Sequence, residues 1–379
     1  MFIKRLGPKN ILSFADCPGL ELRNLNLLIG PNGAGKSNLI HVIELLHQLP
    51  GDFVSFMVNS RGADLWLRLG AGVESGMIDA RFSLGEHDWT YGFTFAADGP
   101  VAVIRTEQLA RSAGIENEMV MGRESGTVYR SSPAETVTLK PNFASKSLLG
   151  MFRGPEESSV IPELAANLDR IRIYRGFDVG QRSVIRSGLP ASRSYDANLL
   201  EDGSNLAEVL QELDHAGRLS DINRHLLALN TQAIDLRYRV TEGRWIVSVE
   251  ERQLSRRLPG AILSDGSLRF LCLAAILMDP NPPPLICLEE PEVGLHPDAI
   301  RIVGEMLVDA STRTQLVVTT HSPALIDCFT SDPESVIVCE KNLENETTFR
   351  RYGSSELESW LEDFTLGDVW QRGAIGGVL

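Results

Sequence analysis

The most informative segment of this sequence is "LNLLIGPNGAGKSNLIHVIELLHQL", residues 25–49. Its apolar start predicts a buried strand, and the apolar spacing of its second half predicts an amphipathic helix. Between them, Gly30, Gly35, Lys36 and Ser37 fit the pattern G-x-x-x-x-G-K-[ST] without a mismatch. A simple surface turn needs neither the strand before it nor the helix after it. The stretch therefore predicts a phosphate-binding loop.

Each part of this loop has a chemical reason. Glycines let backbone N–H groups converge on phosphate oxygens, and the start of the following helix adds a favourable potential for an anion. The ammonium of Lys36 would neutralise charge at the β- and γ-phosphates during the reaction, and the Ser37 hydroxyl can ligate Mg²⁺. We therefore expect ATP and Mg²⁺ as cofactors, with nucleotide contacts from Asn32, Gly33, Ala34, Gly35, Lys36, Ser37 and Asn38.

Composition limits the class of protein. The 379 residues, 43% hydrophobic and 23% charged, can form one large domain or two ordinary ones around a real core. The apolar run at 270–278 is far shorter than the roughly 20 residues that span a bilayer, and the N-terminus lacks a signal-peptide core. We expect a cytoplasmic protein without a membrane partner. The five cysteines form no CxxC pair, which predicts reduced thiols and no zinc site.

Three later segments accompany the loop. "LSDGS" begins at Leu263 and precedes a helix-like apolar pattern; "LICLEEPEVGLHP", residues 285–297, brings an apolar strand directly to two acids. "TQLVVTTHSPALID", residues 314–327, is a β-branched strand that ends near His321. Because successive residues of a strand point to opposite sides, we expect Glu289 and Glu290 to face different ways, with Pro291 ending the strand.

The order of these segments resembles the ATP-binding-cassette ATPase heads of the RecF/SMC class. Within that class the chain is most similar to stand-alone AAA-type ATPases related to the overcoming-lysogenisation-defect (OLD) nucleases and to ATPase subunits of anti-phage systems. "EEPEVGLHP", "VTTHSPALID" and the opening "IKRLGPKNILSF" carry the likeness, which is weakest over 50–160. It implies an α/β P-loop NTPase with a mixed RecA-like sheet, an antiparallel β-lobe and an inserted helical lobe.

The resemblance also implies roles for single residues. Glu289 would hold Mg²⁺ through a bound water at the Walker-B position, and Glu290 would be the general base for the attacking water. Ser264 and Gly266 would form the signature motif that contacts the γ-phosphate bound by the other protomer. His321 would sense that phosphate. Asp265 stands where the family pattern has glycine, which leaves the signature role open.

Simpler interpretations exist for these segments when each is taken alone. Two acids after a strand are often a solvated turn, a lone histidine is usually structural, and "LSDGS" can simply cap a helix. The intact phosphate loop favours the functional interpretation of the acids and His321. His296 is interpreted as structural or as a contact at the dimer face, not as a metal ligand.

Spacing predicts the layout of the domains. Lys36 and Ser264 are 228 positions apart, wider than in a transporter ATPase, yet no sustained heptads predict a long coiled coil. Alternating apolar residues over 76–140 predict antiparallel strands, 160–229 is mostly helical in pattern, and 233–251 predicts two more strands. We expect three segments: 1–150 with the phosphate loop and β-lobe, 151–258 as a mainly helical insert, and 259–379 with the signature, acids and histidine.

Two features stay open in the sequence. The glutamine that such ATPases carry near the metal is not identified, and Gln108 and the segment Asn59–Arg61 are both candidates. Six arginines lie within 24 residues of a chain whose net charge is −14. They predict either a phosphate-contacting patch for DNA or arginines near the nucleotide, against a simpler interpretation as weak surface ion pairs with nearby aspartates. The six are Arg170, Arg172, Arg175, Arg182, Arg186 and Arg193.

The sequence predicts an ATP-hydrolysing enzyme. Only 58 residues follow His321, without a D-x-D pattern, so we expect no nuclease domain and a separate effector or nuclease protein. The expected active form is a head-to-head homodimer in a DNA-maintenance or anti-phage complex, with DNA as a further partner. An ATPase subunit of a membrane transporter and a slow nucleotide-gated scaffold are the alternatives.

Overall fold

The apolar strand before the phosphate loop lies inside a six-stranded sheet, and all five of its residues are buried. The computed structural model describes residues 1–70, 72–113, 116–124, 126–131, 134–138, 146–154, 160–191, 198–229, 232–252 and 254–376. The strands in chain order are β1 Phe2–Ile11, β2 Phe14–Asp16, β3 Leu20–Glu21, β4 Leu25–Ile29, β5 Ser75–Leu84, β6 His87–Asp98, β7 Val101–Ala113, β8 Glu116–Glu124, β9 Thr127–Ser131, β10 Ala134–Thr138, β11 Arg172–Tyr174, β12 Leu189–Pro190, β13 Ala233–Thr241, β14 Arg244–Glu251, β15 Leu258–Pro259, β16 Leu285–Glu289, β17 Gln315–Thr319, β18 Val336–Lys341 and β19 Thr347–Arg351.

The helices pack around these sheets, and short 3₁₀ turns at Gly260–Ile262 and Pro333–Ser335 connect some of them. The α-helices in chain order are α1 Lys36–Gln48, α2 Phe53–Ser60, α3 Ala63–Trp66, α4 Leu148–Met151, α5 Ile161–Asp169, α6 Val184–Ser187, α7 Leu206–His215, α8 Leu219–Leu229, α9 Asp265–Leu277, α10 Pro297–Ala310, α11 Pro323–Asp327, α12 Ser354–Leu361 and α13 Leu366–Gln371.

The six-stranded sheet has the order β11-β16-β17-β4-β18-β19, with every pair parallel except β18 and β19. Its central strands are apolar on both faces, as expected of a parallel sheet covered on both sides. Leu27 and Ile29 lie in one core with α7, α9 and α10, whereas Leu28 lies in a second core with α1 and the antiparallel sheet. Parallel pairing brings the carboxyl ends of β4, β16 and β17 together, beside the phosphate loop.

The predicted antiparallel β-lobe is confirmed. Strands β5 to β10 form a meander of antiparallel neighbours, and β1, which pairs with β5 and also with β2 and β3, extends it into a nine-stranded sheet. Inward aromatic residues such as Phe82 and Phe93 share a core with α1. The mixed α/β head with an antiparallel lobe is thus the fold that the sequence predicts.

The insert is less uniform than its sequence pattern. Helices α5 to α8 are present, but β11 belongs to the six-stranded sheet and pairs with β16. A three-residue strand that begins with Arg172 carries too little periodicity to be recognised, and its pairing with β16 stabilises it. Strands β12 to β15 form a separate four-stranded sheet beside these helices. The segment boundaries after 150 and 258 stay predictions.

Helix length agrees with a head that lacks an arm. Within the described ranges the longest helix is α10, with 14 residues. Among those same residues, no helix combines the length and the apolar character needed to cross a membrane.

Candidate nucleotide site

The phosphate loop runs from the end of β4 to the start of α1, and two of its glycines are required by their surroundings. Gly30 and Gly35 have φ of 145° and 107°, values that residues with a Cβ rarely adopt. A Cβ at position 30 would lie 2.1 Å from the Cys339 carbonyl oxygen, and one at position 35 would lie 2.1 Å from Thr347 Oγ1. The loop therefore keeps its shape only with glycine at both positions.

Residues distant in sequence brace the loop from behind. The Thr347 hydroxyl donates to the Ala34 carbonyl at 2.8 Å and lies 2.6 Å from the Ser13 hydroxyl. The side chain of Asn38, predicted to contact the nucleotide, donates to Ser13 Oγ at 2.7 Å. Its contact with a nucleotide stays a prediction. Ser13 lies in the quoted opening segment, but neither it nor Thr347 was predicted to contact the loop, because both reach it only through the tertiary fold.

Lys36 lies folded over the loop. Its ammonium donates to the carbonyls of Gly30 at 2.8 Å and Pro31 at 3.2 Å, and only 6% of the residue is exposed. Burial lowers the pKa of Lys36, although nearby acids oppose this shift. Gly35 is the residue before the first turn of α1. Because glycine has no side chain, it does not cap the helix, and its position offers no side-chain acceptor to the N–H groups of that turn. Cation and N–H donors thus converge where a phosphate would bind.

The serine after Lys36 meets the first of the paired acids. The Ser37 hydroxyl donates to Glu289 Oε2 at 2.8 Å, and Glu289 is the last residue of β16. A hydroxyl and a carboxylate are the hard oxygen donors that Mg²⁺ prefers, and this metal commonly takes only one or two protein ligands beside substrate phosphates. The described residues contain no group of three or more His, Cys, Asp or Glu side chains that could hold a metal alone. The donor set fits Mg²⁺ bound together with a nucleotide.

The second acid leaves the strand. The prediction that strand alternation separates the two acids, and that Pro291 ends the strand, is wrong: β16 ends at Glu289. Glu290 has φ of 45°, in the left-handed region, and its N–H donates to the Thr319 carbonyl at 3.0 Å. A sharp turn of the backbone at Glu290 redirects its side chain. Strained backbone of this kind is frequent at functional sites.

His321 lies beside this acid. Its Nε2 is 3.7 Å from Glu290 Oε1, and its backbone N–H donates to Glu292 Oε1 at 3.0 Å. The Thr320 hydroxyl donates to the same oxygen of Glu292 at 2.6 Å. Burial lowers the pKa of His321, helped by the charge of Lys36 and opposed by Glu290 and Glu292. The environment of the imidazole therefore favours its neutral form, in which one ring nitrogen donates and the other accepts. Glu292, which fixes this turn, was not singled out from the sequence.

The signature segment begins α9. Ser264 accepts from the Ser267 N–H at 3.1 Å and so caps the helix, the simpler role considered for it. A Cβ on Gly266 would lie 2.9 Å from the Gly294 carbonyl oxygen, so the helix start packs closely on the loop after the acids. The expected contact of Ser264 and Gly266 with a nucleotide on another protomer stays a prediction. His296 Nδ1 accepts from the Asp298 N–H at 3.3 Å and caps α10.

The arginine cluster divides into separate environments. Arg175 contacts Glu289 at 3.0 Å, whereas Arg186 is buried and donates to backbone carbonyls, including that of Leu263 at 2.6 Å. Arg172 donates to the carbonyls of Asp169 and Ile171, Arg170 reaches the Pro282 carbonyl, and Arg182 is exposed. Arg193 lies outside the described residues. The five described arginines thus lie in separate environments, and a shared role in phosphate contact stays a prediction.

The two candidates for the glutamine that such ATPases carry near the metal lie in different parts of the structure. Gln108 is an exposed residue of β7, opposite Gly92 in the antiparallel sheet. Arg61 Nη2 lies 3.1 Å from His41 Nε2 and packs over Trp66, so the segment Asn59–Arg61 reaches α1. Neither segment supplies a glutamine to Glu289, and the residue found there is Arg175.

Comparison with known proteins identifies a family for the chain. The model of the family described as "AAA domain, putative AbiEii toxin, Type IV TA system" matches residues 25–114 and 156–327, more than half of the chain. A search of curated proteins finds no match.

Solved structures share the fold. An SmcHead bound to the C-winged helix domain of ScpA is 11% identical, with a TM-score of 0.56 over 95% of this chain and 100% of that chain. An Smc head domain with an extended coiled coil, bound to the C-terminal domain of ScpA derived from Pyrococcus furiosus, is also 11% identical, with a TM-score of 0.56 over 96% and 99%. The chain belongs to the AAA family that the matching model describes, and it shares its fold with Smc head domains.

Proposed function

We propose that the chain binds and hydrolyses ATP with Mg²⁺ and works as a regulatory ATPase that dimerises head-to-head on ATP. One observation carries the proposal: the hydrogen bond from Ser37 to Glu289 places a hydroxyl and a carboxylate beside the phosphate loop, with Glu290 next in the chain. Phosphoryl transfer requires positioning and charge neutralisation, and little covalent chemistry from the protein. A buried lysine, a hydroxyl and two acids can supply both requirements.

In the proposed reaction the loop exchanges internal hydrogen bonds for bonds to the substrate. Lys36 gives up the carbonyls of Gly30 and Pro31 and donates to the β- and γ-phosphate oxygens instead. Bound Mg²⁺ would neutralise the charge that develops on the transferred phosphoryl group. Ser37 and Glu289 would hold it, the hydroxyl directly and the carboxylate through water.

Glu290 is the proposed general base. Its side chain is 47% exposed, open enough to receive a water molecule, and its turned backbone separates it from Glu289. It would orient the attacking water and accept its proton. The neutral His321 ring, 3.7 Å from Glu290, would donate to the γ-phosphate and so report whether ATP is intact.

Apolar side chains near the signature segment support the dimer. Ile262 is 64% exposed and precedes Ser264, and Val293 is 50% exposed in the loop after the acids. Gly266 packs against that same loop, so both side chains lie near the segment that would face a second copy. Covering them on dimerisation would bury apolar surface next to the nucleotide.

A separate protein partner is the second element of the proposal. The two Smc heads of similar fold were solved bound to domains of ScpA, and the family description names a putative toxin of a Type IV TA system. These facts favour an effector or nuclease protein that the ATPase controls, in a DNA-maintenance or anti-phage complex. Direct DNA contact is proposed only as a further interaction, because Arg186 is buried and does not face solvent.

Light scattering tests the dimer. The Glu290→Gln variant should double its mass on adding ATP, because it would hold ATP without hydrolysing it. Adding Ser264→Arg to that variant should keep the mass of one copy, whereas Ser355→Arg, at an exposed serine of α12, should not. An unchanged mass in Glu290→Gln with saturating ATP would contradict the proposed dimer.

A further inference from the structure

Strand register places Arg175 beside Glu289. In the parallel pair of β11 and β16, Tyr174 lies opposite Leu288. The next residues are Arg175, which directly follows β11, and Glu289, which ends β16, so the two lie side by side at the carboxyl edge of the sheet. Arg175 Nε donates to Glu289 Oε1 at 3.0 Å. This contact joins residues 114 positions apart and involves the same carboxylate that accepts from Ser37.

A carboxylate on α1 fixes the guanidinium. Arg175 Nη1 donates to Glu44 Oε1 at 3.1 Å and Nη2 donates to Glu44 Oε2 at 2.7 Å, a bidentate pair. His41 Nδ1 lies 3.1 Å from Glu44 Oε2 and supports it from the preceding turn. Burial alone raises the pKa of Glu44, but the hydrogen bonds from His41 and Arg175 and the charge of Arg175 outweigh burial and lower it to about 2. Glu44 is therefore ionised and neutralises the charge of Arg175.

Both oxygens of Glu289 are thus held from the same helix. Ser37, His41 and Glu44 are spaced so that they lie on one face of α1. Ser37 donates directly to Oε2 of Glu289. Glu44 acts on Oε1 of Glu289 indirectly, because it binds the Arg175 guanidinium that donates to that oxygen. Because Glu44 cancels the positive charge of Arg175, Arg175 can hold the Glu289 carboxylate while adding little net repulsion toward a cation bound nearby.

We propose that Arg175 is a positioning residue that fixes Glu289 so that its Oε2 faces Ser37 and the metal's water shell. The inference rests on the proposed ATPase function and deepens it, since it assigns an arginine where the family pattern leads one to look for a glutamine. Groups that orient a metal-binding carboxylate typically change metal affinity or activity 10- to 100-fold when removed. Arg175 is 38% exposed, so its guanidinium could instead contact a phosphate, and the experiment separates these two roles.

The experiment measures metal binding in a variant that is expected not to hydrolyse ATP. In a Glu290→Gln background, Mn²⁺ binding to the protein–ATP complex is followed by electron paramagnetic resonance, and ATP affinity is measured separately in EDTA. Arg175→Gln should raise the apparent Kd for Mn²⁺ about tenfold or more. Arg175→Lys should raise it by a smaller factor, because an ammonium cannot donate to both carboxylates in the same fork. ATP affinity in EDTA should stay the same in both.

Controls define the outcomes. Arg182→Gln removes an exposed arginine of the same cluster and should leave Mn²⁺ binding unchanged. Glu44→Gln should reproduce part of the Arg175→Gln effect. An unchanged or tighter Kd for Mn²⁺ in folded Arg175→Gln and Arg175→Lys would overturn the positioning role, and so would a loss of ATP affinity in EDTA, which would indicate a phosphate contact. Failure of the parent Glu290→Gln protein to bind ATP would instead refute the proposed function.

Discussion

Ser37 Oγ donates a hydrogen bond of 2.8 Å to Glu289 Oε2 across 252 positions of sequence. The contact forms because Glu289 ends β16 and Ser37 lies in the first turn of α1, and the parallel strands β16, β17 and β4 bring these ends together. The hydroxyl follows the lysine of the phosphate loop, and the carboxylate precedes the proposed general base. A single hydrogen bond therefore links the two halves of the candidate site.

The first prediction concerns the phosphate loop. Lys36→Ala should lower ATP affinity at least 100-fold, since it removes the buried ammonium that would balance the phosphate charge; by the standard relation this is about 2.7 kcal/mol. Isothermal titration calorimetry checks the change. Lys9→Ala serves as the control. Lys9 is an exposed lysine of β1 that forms an ion pair with Asp16 of the adjacent strand β2. Wild-type affinity in Lys36→Ala would mean that the nucleotide binds elsewhere.

The second prediction concerns Arg186. It donates to the carbonyls of Val179 at 2.8 Å, Gly260 at 3.2 Å and Leu263 at 2.6 Å, and so holds the turn before Ser264. Arg186→Met leaves these acceptors without that donor, and we expect a loss of about 2–4 kcal/mol in the free energy of unfolding.

Urea denaturation measures this loss. Arg182→Met, at the exposed neighbour, should change stability by no more than about 0.5 kcal/mol. If Arg186→Met were as stable as the wild type but bound DNA less tightly, the structural role would be wrong and the phosphate-contacting interpretation of the cluster would return.

The third prediction is a pH dependence from Glu44. Its pKa is about 2 in the folded protein against an ordinary value of 4.5, so its ionised form stabilises the fold above pH 4.5, and this stabilisation is lost as the pH falls toward 2. The full contribution is about 3 kcal/mol, from 1.36 kcal/mol per unit of pKa. Glu44→Gln should therefore be less stable than the wild type at pH 7, with a smaller difference at pH 3.5.

Urea denaturation at the two pH values checks this narrowing. Glu86→Gln removes an exposed acid of the turn between β5 and β6 and should show no comparable change. A difference between Glu44→Gln and the wild type that stays the same at pH 7 and pH 3.5 would mean that the carboxylate is not held by Arg175 and His41 in solution.

Local patterns made much of the fold predictable. The phosphate loop is a contiguous motif with its own strand and helix. The alternation of apolar and polar residues in β5 to β10 indicates that these segments form paired strands. The paired acids were recognisable because an apolar run leads directly to them. In each case, neighbouring residues contain the information.

Contacts set by tertiary register were not predictable. Arg175 meets Glu289 only because β11 pairs with β16, and β11 has three residues with no clear period. Thr347 braces Ala34 from 313 positions away, without any sequence signal. The left-handed backbone conformation of Glu290 cannot be recognised from a strand pattern. It replaces the strand geometry in which Glu289 and Glu290 would point to opposite sides.

The most direct test of the account is phosphate release by Glu290→Gln. With saturating ATP and Mg²⁺, the wild type should release inorganic phosphate, and Glu290→Gln should do so at least 100-fold more slowly, since a positioned base contributes about 10²- to 10⁴-fold. Its ATP affinity should match that of the wild type. Phosphate release by Glu290→Gln at the wild-type rate, with ATP bound normally, would contradict the assignment of Glu290 as the base.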